Sequence, residues 1–331
     1  MQPWEILLLS DLMVKSCVDT KESIDLCRKA IEALAKKEVI EDKFYLSIEK
    51  RHGFLKPMGA YISYPSEVLL LKTFSLFKDN PQKYKLPSIT TLIVLYSPET
   101  GLPVAVMDGD HITGLKTSGT TAVAAELLAR KDSRVLGIIG AGFQGRYHLK
   151  ALNSIFKFDE VRVFDISKEA MKKFAEEMGK LEDLTIKTTN SYEEVCKGAD
   201  IIVTVTVGDE PMVDAKWLSD GVFVAKVGSY QELNPNVITS ADKVVVDSWK
   251  YTVEYGRVKE LVGLVKSGKF SKKDLYAELP DLVAGKKKGR SNEKEKTLYI
   301  SIGYGADNAA IAGYVYQKAI EKGIGQKFKL K

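Results

Sequence analysis

The most specific chemistry in the sequence lies in a glycine-rich turn, Gly140-Ala141-Gly142-Phe143-Gln144-Gly145. It follows an apolar run, Val135–Ile139, and opens a helical stretch, the setting in which GxGxxG cradles a pyrophosphate. There Gly140 makes the tight turn, Gly142 lets backbone N–H groups approach phosphates at a helix N-terminus, and Gly145 lets helix and strand pack closely. Ala141, Phe143 and Gln144 complete the candidate cofactor turn. Asp165 ends the next apolar run, 25 residues beyond Gly140. A carboxylate in that place accepts hydrogen bonds from a ribose 2′-OH and repels a 2′-phosphate, which favours NAD over NADP. The plainer alternatives are glycines that only turn the chain and an aspartate that only caps a helix.

Such a turn needs parallel strands to hold it, and the sequence supplies them. Apolar runs recur at Val135–Gly140, Val161–Asp165, Leu184–Lys187, Ile201–Val207, Val222–Val227 and Lys243–Asp247, with helical stretches between most of them. Ser167 precedes a Met171/Phe174/Met178 face, and Ser191-Tyr192-Glu193-Glu194 reads as a capping box. Six strands in this rhythm predict a doubly wound α/β sheet, a Rossmann domain. Thr204 and Thr206 fall at the end of the fourth run, beside the expected cofactor cleft. Before this region the pattern is α+β. Glu5–Leu9 reads as a strand, and Asp19 with Glu22 starts a helix. Phe44–Ile48, Gly59–Ile62, Leu69–Phe74, Thr90–Tyr96 and Val104–Met107 read as further strands punctuated by Pro and Gly. Ser97–Gly101 is a hairpin turn. The boundary between the two patterns falls near residue 115. A basic loop at 286–290 reads as solvated surface, followed by a strand at Thr297–Ile302 and a last helix from about Asn308 to Lys322.

Composition narrows the classes. The chain has 331 residues, 45% of them hydrophobic, and a net charge of only +5, so nucleic acid binding is not indicated. No apolar run approaches the roughly 18 residues of a membrane span, and Met1–Ser10 lacks the basic start of a signal peptide. Three widely spaced cysteines, Cys17, Cys27 and Cys196, fit a reducing cytoplasm. Three histidines without ligand spacing predict no metal site. Of the 49 basic residues, 41 are lysine.

The chain resembles the ornithine cyclodeaminase/mu-crystallin family, which includes archaeal alanine dehydrogenases and ketimine reductases. The resemblance is carried by Met58-Gly59-Ala60-Tyr61, Lys72, Gly101–Met107, Ile112–Ser118, Ala125–Ser133, Gly198–Ile201, Thr204–Thr206, Pro211, Glu232-Leu233 and Ser301–Asp307. It implies a homodimer formed through an N-terminal domain that also supplies the substrate pocket, with the last helix returning to that domain. The expected division is therefore residues 1–115 with 306–331 for substrate binding and dimerisation, and 116–305 for NAD. The resemblance gives Lys72 the part of acid/base near the reacting carbon, and Lys56 and Lys116 the part of carboxylate clamp. Thr117 and Ser118 match residues that donate to the pyrophosphate.

Two departures bear on the substrate. Relatives carry arginine at the places of Lys56 and Lys116, and lysine keeps the charge but not the two-pronged hydrogen bond. Either the substrate geometry has changed, or a lysine-biased composition has drifted there without consequence. In Val227-Gly228-Ser229, next to the cofactor cleft, serine replaces an aspartate that holds a substrate amine, which argues against ornithine cyclisation. Asp307 is the remaining candidate acid, either orienting the nicotinamide side or capping the last helix. The expected activity is NAD-dependent oxidation of a small amino acid at its C–N bond, or the reverse. A ketimine or cyclic-imine reductase, an ornithine cyclodeaminase with recycled NAD, and a non-catalytic ligand-binding protein of crystallin type are the alternatives.

Overall fold

The computed structural model describes residues 4–208, 210–228 and 230–330. The chain divides into two compact units, Met1–Lys116 with Tyr304–Lys331, and Thr117–Gly303.

The first unit is built on one mixed sheet. Its strands are β1 (Glu5–Leu9), β2 (Val39–Lys43), β3 (Leu46–Ile48), β4 (Gly53–Ile62), β5 (Val68–Phe77), β6 (Ile89–Tyr96) and β7 (Pro103–Asp108), joined by a C-terminal strand, Gln326–Lys329. The C-terminal strand pairs with β1, and the order continues β1-β7-β6-β5-β4-β2, with β3 also on β4. Alternation sends successive side chains of each strand to opposite faces. The cross-strand row Met58–Lys72–Ile93–Met107–Leu9 is buried on one face. The neighbouring row Leu71–Val94–Val106–Leu8 points the other way and is only half-buried. The helix Gly305–Lys322 covers the buried face, packing on β4, β5, β2 and β6, and the helix Thr20–Ala35 packs against that helix. Asp19 and Glu22 close a reciprocal capping box on the first helix. The second helix approaches closely because it is rich in small residues. A Cβ on its Gly313 would lie 2.5 Å from Val68 Cγ2.

The second unit is a parallel sheet of β8 (Val135–Ile139), β9 (Glu160–Phe164), β10 (Ile186–Thr188), β11 (Ile201–Thr204), β12 (Phe223–Lys226), β13 (Lys243–Val246), β14 (Ala277–Glu278) and β15 (Thr297–Ile300). The order is β10-β9-β8-β11-β12-β15-β13-β14, all neighbours parallel. The first five strands in this order run in the Rossmann sense, with the topological switch between β8 and β11, where ligands of such sheets bind. Register aligns the carboxyl ends Phe164, Ile139, Thr204, Lys226 and Ile300 in one row. Asp165, Gly140 and Val227 follow one position later at the same edge. Both faces of the central strands are buried, as their continuous apolar runs require.

Several edges differ from expectation. The fourth strand of the second unit stops at Thr204 rather than Val207, because the Thr206 amide donates to a side chain, Glu232 Oε1, instead of to a strand. Ser191 caps the Glu194 amide, but the Glu194 carboxylate takes Asn190 N–H, so the reciprocal box is shifted by one residue. In the first unit the strand expected at Phe44–Ile48 is confined to Leu46–Ile48, and the mostly charged strand Val39–Lys43 before it carries no apolar alternation. The last helix begins at Gly305, before Asn308. Arg290 at the end of the basic loop is not solvated surface. It donates to the carbonyls of Leu128, Val222 and Glu295 and to Thr297 Oγ1. Among the described residues no helix is long and apolar enough to cross a membrane, and no group of His, Cys, Asp or Glu is arranged to hold a metal ion.

Candidate active site

In the second unit the glycines of the turn are required for separate reasons. Gly140 has φ +115° and an added Cβ would lie 2.8 Å from Val205 O. A Cβ on Gly145 would fall 2.2 Å from Gly140 O, so helix and turn touch there. Gly142 is different, since its Cβ direction is open. It is also the N-cap of the Phe143–Asn153 helix, whose cap makes no side-chain hydrogen bond. An open approach to the positive end of a helix is what a pyrophosphate needs. Asp165 is held against this turn, its Oδ2 accepting from Ala141 N at 2.9 Å and its Oδ1 from Ser167 N at 2.9 Å. Two amides fix the carboxylate and leave it lone pairs for a ribose hydroxyl. Phe143 is half-exposed beside Tyr147, with ring centroids 4.7 Å apart, and Gln144 O accepts from His148 Nδ1 at 2.8 Å. Thr117 and Ser118 lie within the helix Asp110–Leu128, Ser118 fully buried.

The threonines at the strand ends converge on a residue to which sequence reasoning gave no role. Glu232 is fully buried. Its carboxylate accepts from Thr204 Oγ1 (2.7 Å), Thr206 N (2.7 Å), Thr206 Oγ1 (2.9 Å) and Gly228 N (2.9 Å). It thereby ties the loop after β11 to the loop after β12. A Cβ on Gly228 would lie 2.3 Å from Glu232 Oε1, so this clasp also demands glycine. Burial raises the Glu232 pKa, against Lys226 and the donors of Thr204 and Thr206. Val227 N donates to Thr204 O at 3.0 Å, and Ser229 lies outside the described residues. A lone buried acid carried no periodic signal; only its place in the resemblance marked it.

In the first unit the sheet register gathers the lysines. Lys56 on β4 pairs with Phe74 on β5, two residues from Lys72, so Lys56, Lys72 and Phe74 share one face. Lys56 Nζ sits 5.3 Å from the Tyr45 ring centroid, and Tyr45, Phe54 and Phe74 form an aromatic run with centroid spacings of 5.5 and 6.0 Å. Lys116 is buried on the helix Asp110–Leu128. Lys72 is 2% exposed, and its Nζ donates to Thr113 Oγ1 at 2.8 Å and Asn308 Oδ1 at 2.7 Å. Its pKa is driven well below the ordinary lysine range, first by burial, then by Lys116 and Lys56, while Asp110 and Asp307 oppose. Asp110, unnoticed in the sequence, has its carboxyl raised, first by burial. Asp307 is fully buried in the first turn of the Gly305–Lys322 helix. Capping there falls to Glu41 from β2, whose Oε2 accepts from Gly305 N (2.7 Å) and Ala306 N (3.0 Å). Glu41 is thus an acid at this helix start that the sequence reading did not foresee.

Each unit thus holds one half of a chemistry. One presents a helix N-terminus and a fixed carboxylate for a dinucleotide. The other presents a buried, neutral-leaning amine among cations that suit a carboxylate.

Comparison with known proteins places the chain in one family. The model of the ornithine cyclodeaminase/mu-crystallin family matches residues 6–323. The alanine dehydrogenase of Archaeoglobus fulgidus is 34% identical over 331 residues, covering 98% of each chain. The Thermococcus litoralis Delta(1)-pyrroline-2-carboxylate reductase, solved with NADH and L-proline, superposes with a TM-score of 0.92 at 35% identity, covering 97% of this chain and 99% of that one. An archaeal alanine dehydrogenase dimer with bound NAD gives 0.89 at 31% identity, covering 99% and 100%. The chain belongs to the ornithine cyclodeaminase/mu-crystallin family.

Proposed function

We propose that this protein is an NAD-dependent oxidoreductase acting at the C–N bond of a small amino acid or its imine, in the manner of an alanine dehydrogenase. The observation that carries the reading is Lys72. In a chain with 41 lysines, a solvated lysine is the default. This one is buried, held by two neutral oxygens, and faces the cations Lys116 and Lys56 as well as the acids Asp110 and Asp307.

NAD would supply the hydride acceptor, held by the Gly140–Gly145 turn with its ribose on Asp165. Thr117, Ser118, Thr204, Thr206, Val227 and Gly228 complete its surroundings. Lys56 and Lys116 would bind the substrate carboxylate as point charges. Oxidation of the amine removes one hydride and one proton, and the proton passes from the substrate nitrogen to Lys72 Nζ. A lysine poised below its usual pKa is suited to accept it near neutral pH. Lys72 then gives and takes protons while water adds to the imine and ammonia leaves. Asp307 and Asp110 offset the cationic charge of the pocket. In the reverse direction the ammonium form of Lys72 protonates the imine nitrogen.

A second reading, reduction of a cyclic imine, is favoured by the Tyr45, Phe54 and Phe74 run beside Lys56 and by the likeness to the pyrroline-2-carboxylate reductase. Flat aromatic walls suit a ring better than a methyl group. Ornithine cyclisation ranks below both because Ser229 offers no anion for a side-chain amine.

The protein pairs with a second copy in this reading. The half-buried row Leu71–Val94–Val106–Leu8 and the exposed Leu92 on the uncovered face of the first unit's sheet support that, as does the dimer formed by the archaeal alanine dehydrogenase.

The test is absorbance at the NADH band. With NAD⁺ the protein is given L-alanine, L-proline or L-ornithine, and with NADH pyruvate plus ammonia or pyrroline-2-carboxylate. A change with alanine or pyruvate supports the dehydrogenase, and one confined to the cyclic imine and proline supports the reductase. Proline formed from ornithine without net NADH, or no turnover of any of these, contradicts the proposal.

A further inference from the structure

We propose that Thr113 and Asn308 are positioning residues that aim the lone pair of Lys72. The inference rests on the reading of Lys72 as acid/base given above. Each partner presents an oxygen lone pair to Lys72 because its donor side is turned to a backbone carbonyl. The Thr113 hydroxyl donates to Gly109 O at 2.7 Å, its alternative acceptor, Thr91 Oγ1, being 3.5 Å away. The Asn308 amide nitrogen donates to Tyr304 O at 2.9 Å, which turns Oδ1 toward Lys72.

A neutral amine has two hydrogens and one lone pair. With both hydrogens taken by Thr113 and Asn308, the lone pair is left one tetrahedral direction. In the ammonium form the third hydrogen occupies that same direction. Proton exchange between Lys72 and a substrate nitrogen is thereby confined to one line, a form of preorganisation. Neutrality of the two partners matters equally. The charged groups facing Lys72 are Lys56 from β4, Lys116 and Asp110 from the Asp110–Leu128 helix, and Asp307 from the Gly305–Lys322 helix. Asn308 sits next to Asp307 in that helix, so a carboxylate was one residue away from direct contact. An amide there binds the amine without fixing its charge, whereas a carboxylate would hold the ammonium.

The test titrates Lys72 directly. Protein carrying ¹³C,¹⁵N-lysine is followed by Cε–Nζ correlation NMR, the resonance being assigned by its loss in Lys72→Arg. The pH dependence of kcat for amine oxidation is recorded alongside. Asn308→Asp is expected to raise the Lys72 titration, and the acid limb of kcat with it, by about one to two pH units. Thr113→Val is expected to lower the titration and cut kcat about tenfold, with Thr113→Ser restoring both and NAD affinity unchanged in all. A Lys72 titration unmoved in Asn308→Asp, or Thr113→Ser no better than Thr113→Val, overturns the inference. Should Asn308→Asp fail to fold by near-ultraviolet circular dichroism, the Thr113 pair decides alone. Full turnover in Lys72→Ala would instead sink the reading of Lys72 as acid/base; an inactive Lys72→Ala with unmoved titrations sinks only the aiming role.

Discussion

The two units prepare their sites by opposite means. The glycine turn proposed for the nucleotide relies on backbone: amides at a helix start, glycines where a Cβ would strike Val205 O or Gly140 O, and a carboxylate fixed by Ala141 N and Ser167 N. The Lys72 site relies on side chains drawn from four separate elements, and its central group is tuned by burial and by like charges. A backbone site is specified locally and tolerates little change of shape. A side-chain site is specified at long range and tolerates shape changes better than charge changes. Substitutions in the two should therefore separate binding from chemistry.

The largest effect is expected from Lys72→Ala, a loss of about 10²- to 10⁴-fold in kcat, with NAD affinity by fluorescence titration within twofold of the parent. A matching loss of NAD binding would break the separation. Gly145→Ala attacks the other side. Its Cβ has no space beside Gly140 O, and a loss of stability of about 2–4 kcal/mol in denaturant unfolding is expected, with NAD binding weakened. Glu232→Gln comes next. Glutamine replaces one carboxylate oxygen by a donor, which leaves Thr204 Oγ1 to turn round and Gly228 N unsatisfied. An unmade buried hydrogen bond costs about 1–3 kcal/mol, and NAD affinity is expected to fall about tenfold with the Lys72 pH profile unchanged.

The pH dependence sharpens the same contrast. Lys72 has its pKa lowered in the fold, so the neutral base is present at lower pH than for a free lysine. Amine oxidation is expected to rise with pH and reach its plateau below the ordinary lysine range. Imine reduction, which needs the ammonium, should fall over that interval. Removing a like charge, as in Lys116→Gln, should move both limbs to higher pH. The smallest effect is expected from Lys56→Arg with Lys116→Arg. If the lysines only echo composition, the substrate KM falls a few-fold with kcat kept; if they serve a different geometry, KM rises.

How much of this was legible in the sequence follows the same divide. The glycine turn and Asp165 were readable because their spacing is local and each residue type has one steric or electrostatic reason to be there. Most strands and two helix caps were readable from alternation and from Ser167 and Asp19. Lys72, Lys56 and Lys116 needed the resemblance, since nothing local separates them from other lysines. Thr113 and Asn308 were passed over. The Lys72–Asn308 hydrogen bond joins residues 236 apart, and neither partner belongs to a pattern of its own. Glu232 and Glu41 escaped for the same reason, being acids that serve backbone amides of distant segments.

The most direct test of Lys72 as the acid/base is rescue of Lys72→Ala by added small amines. Single-turnover hydride transfer from the substrate amine to NAD⁺ is followed at the NADH band while methylamine or ethylamine is varied. The expected result is negligible transfer without amine, restored in proportion to the free-base concentration. Transfer at the parent rate without amine would contradict it.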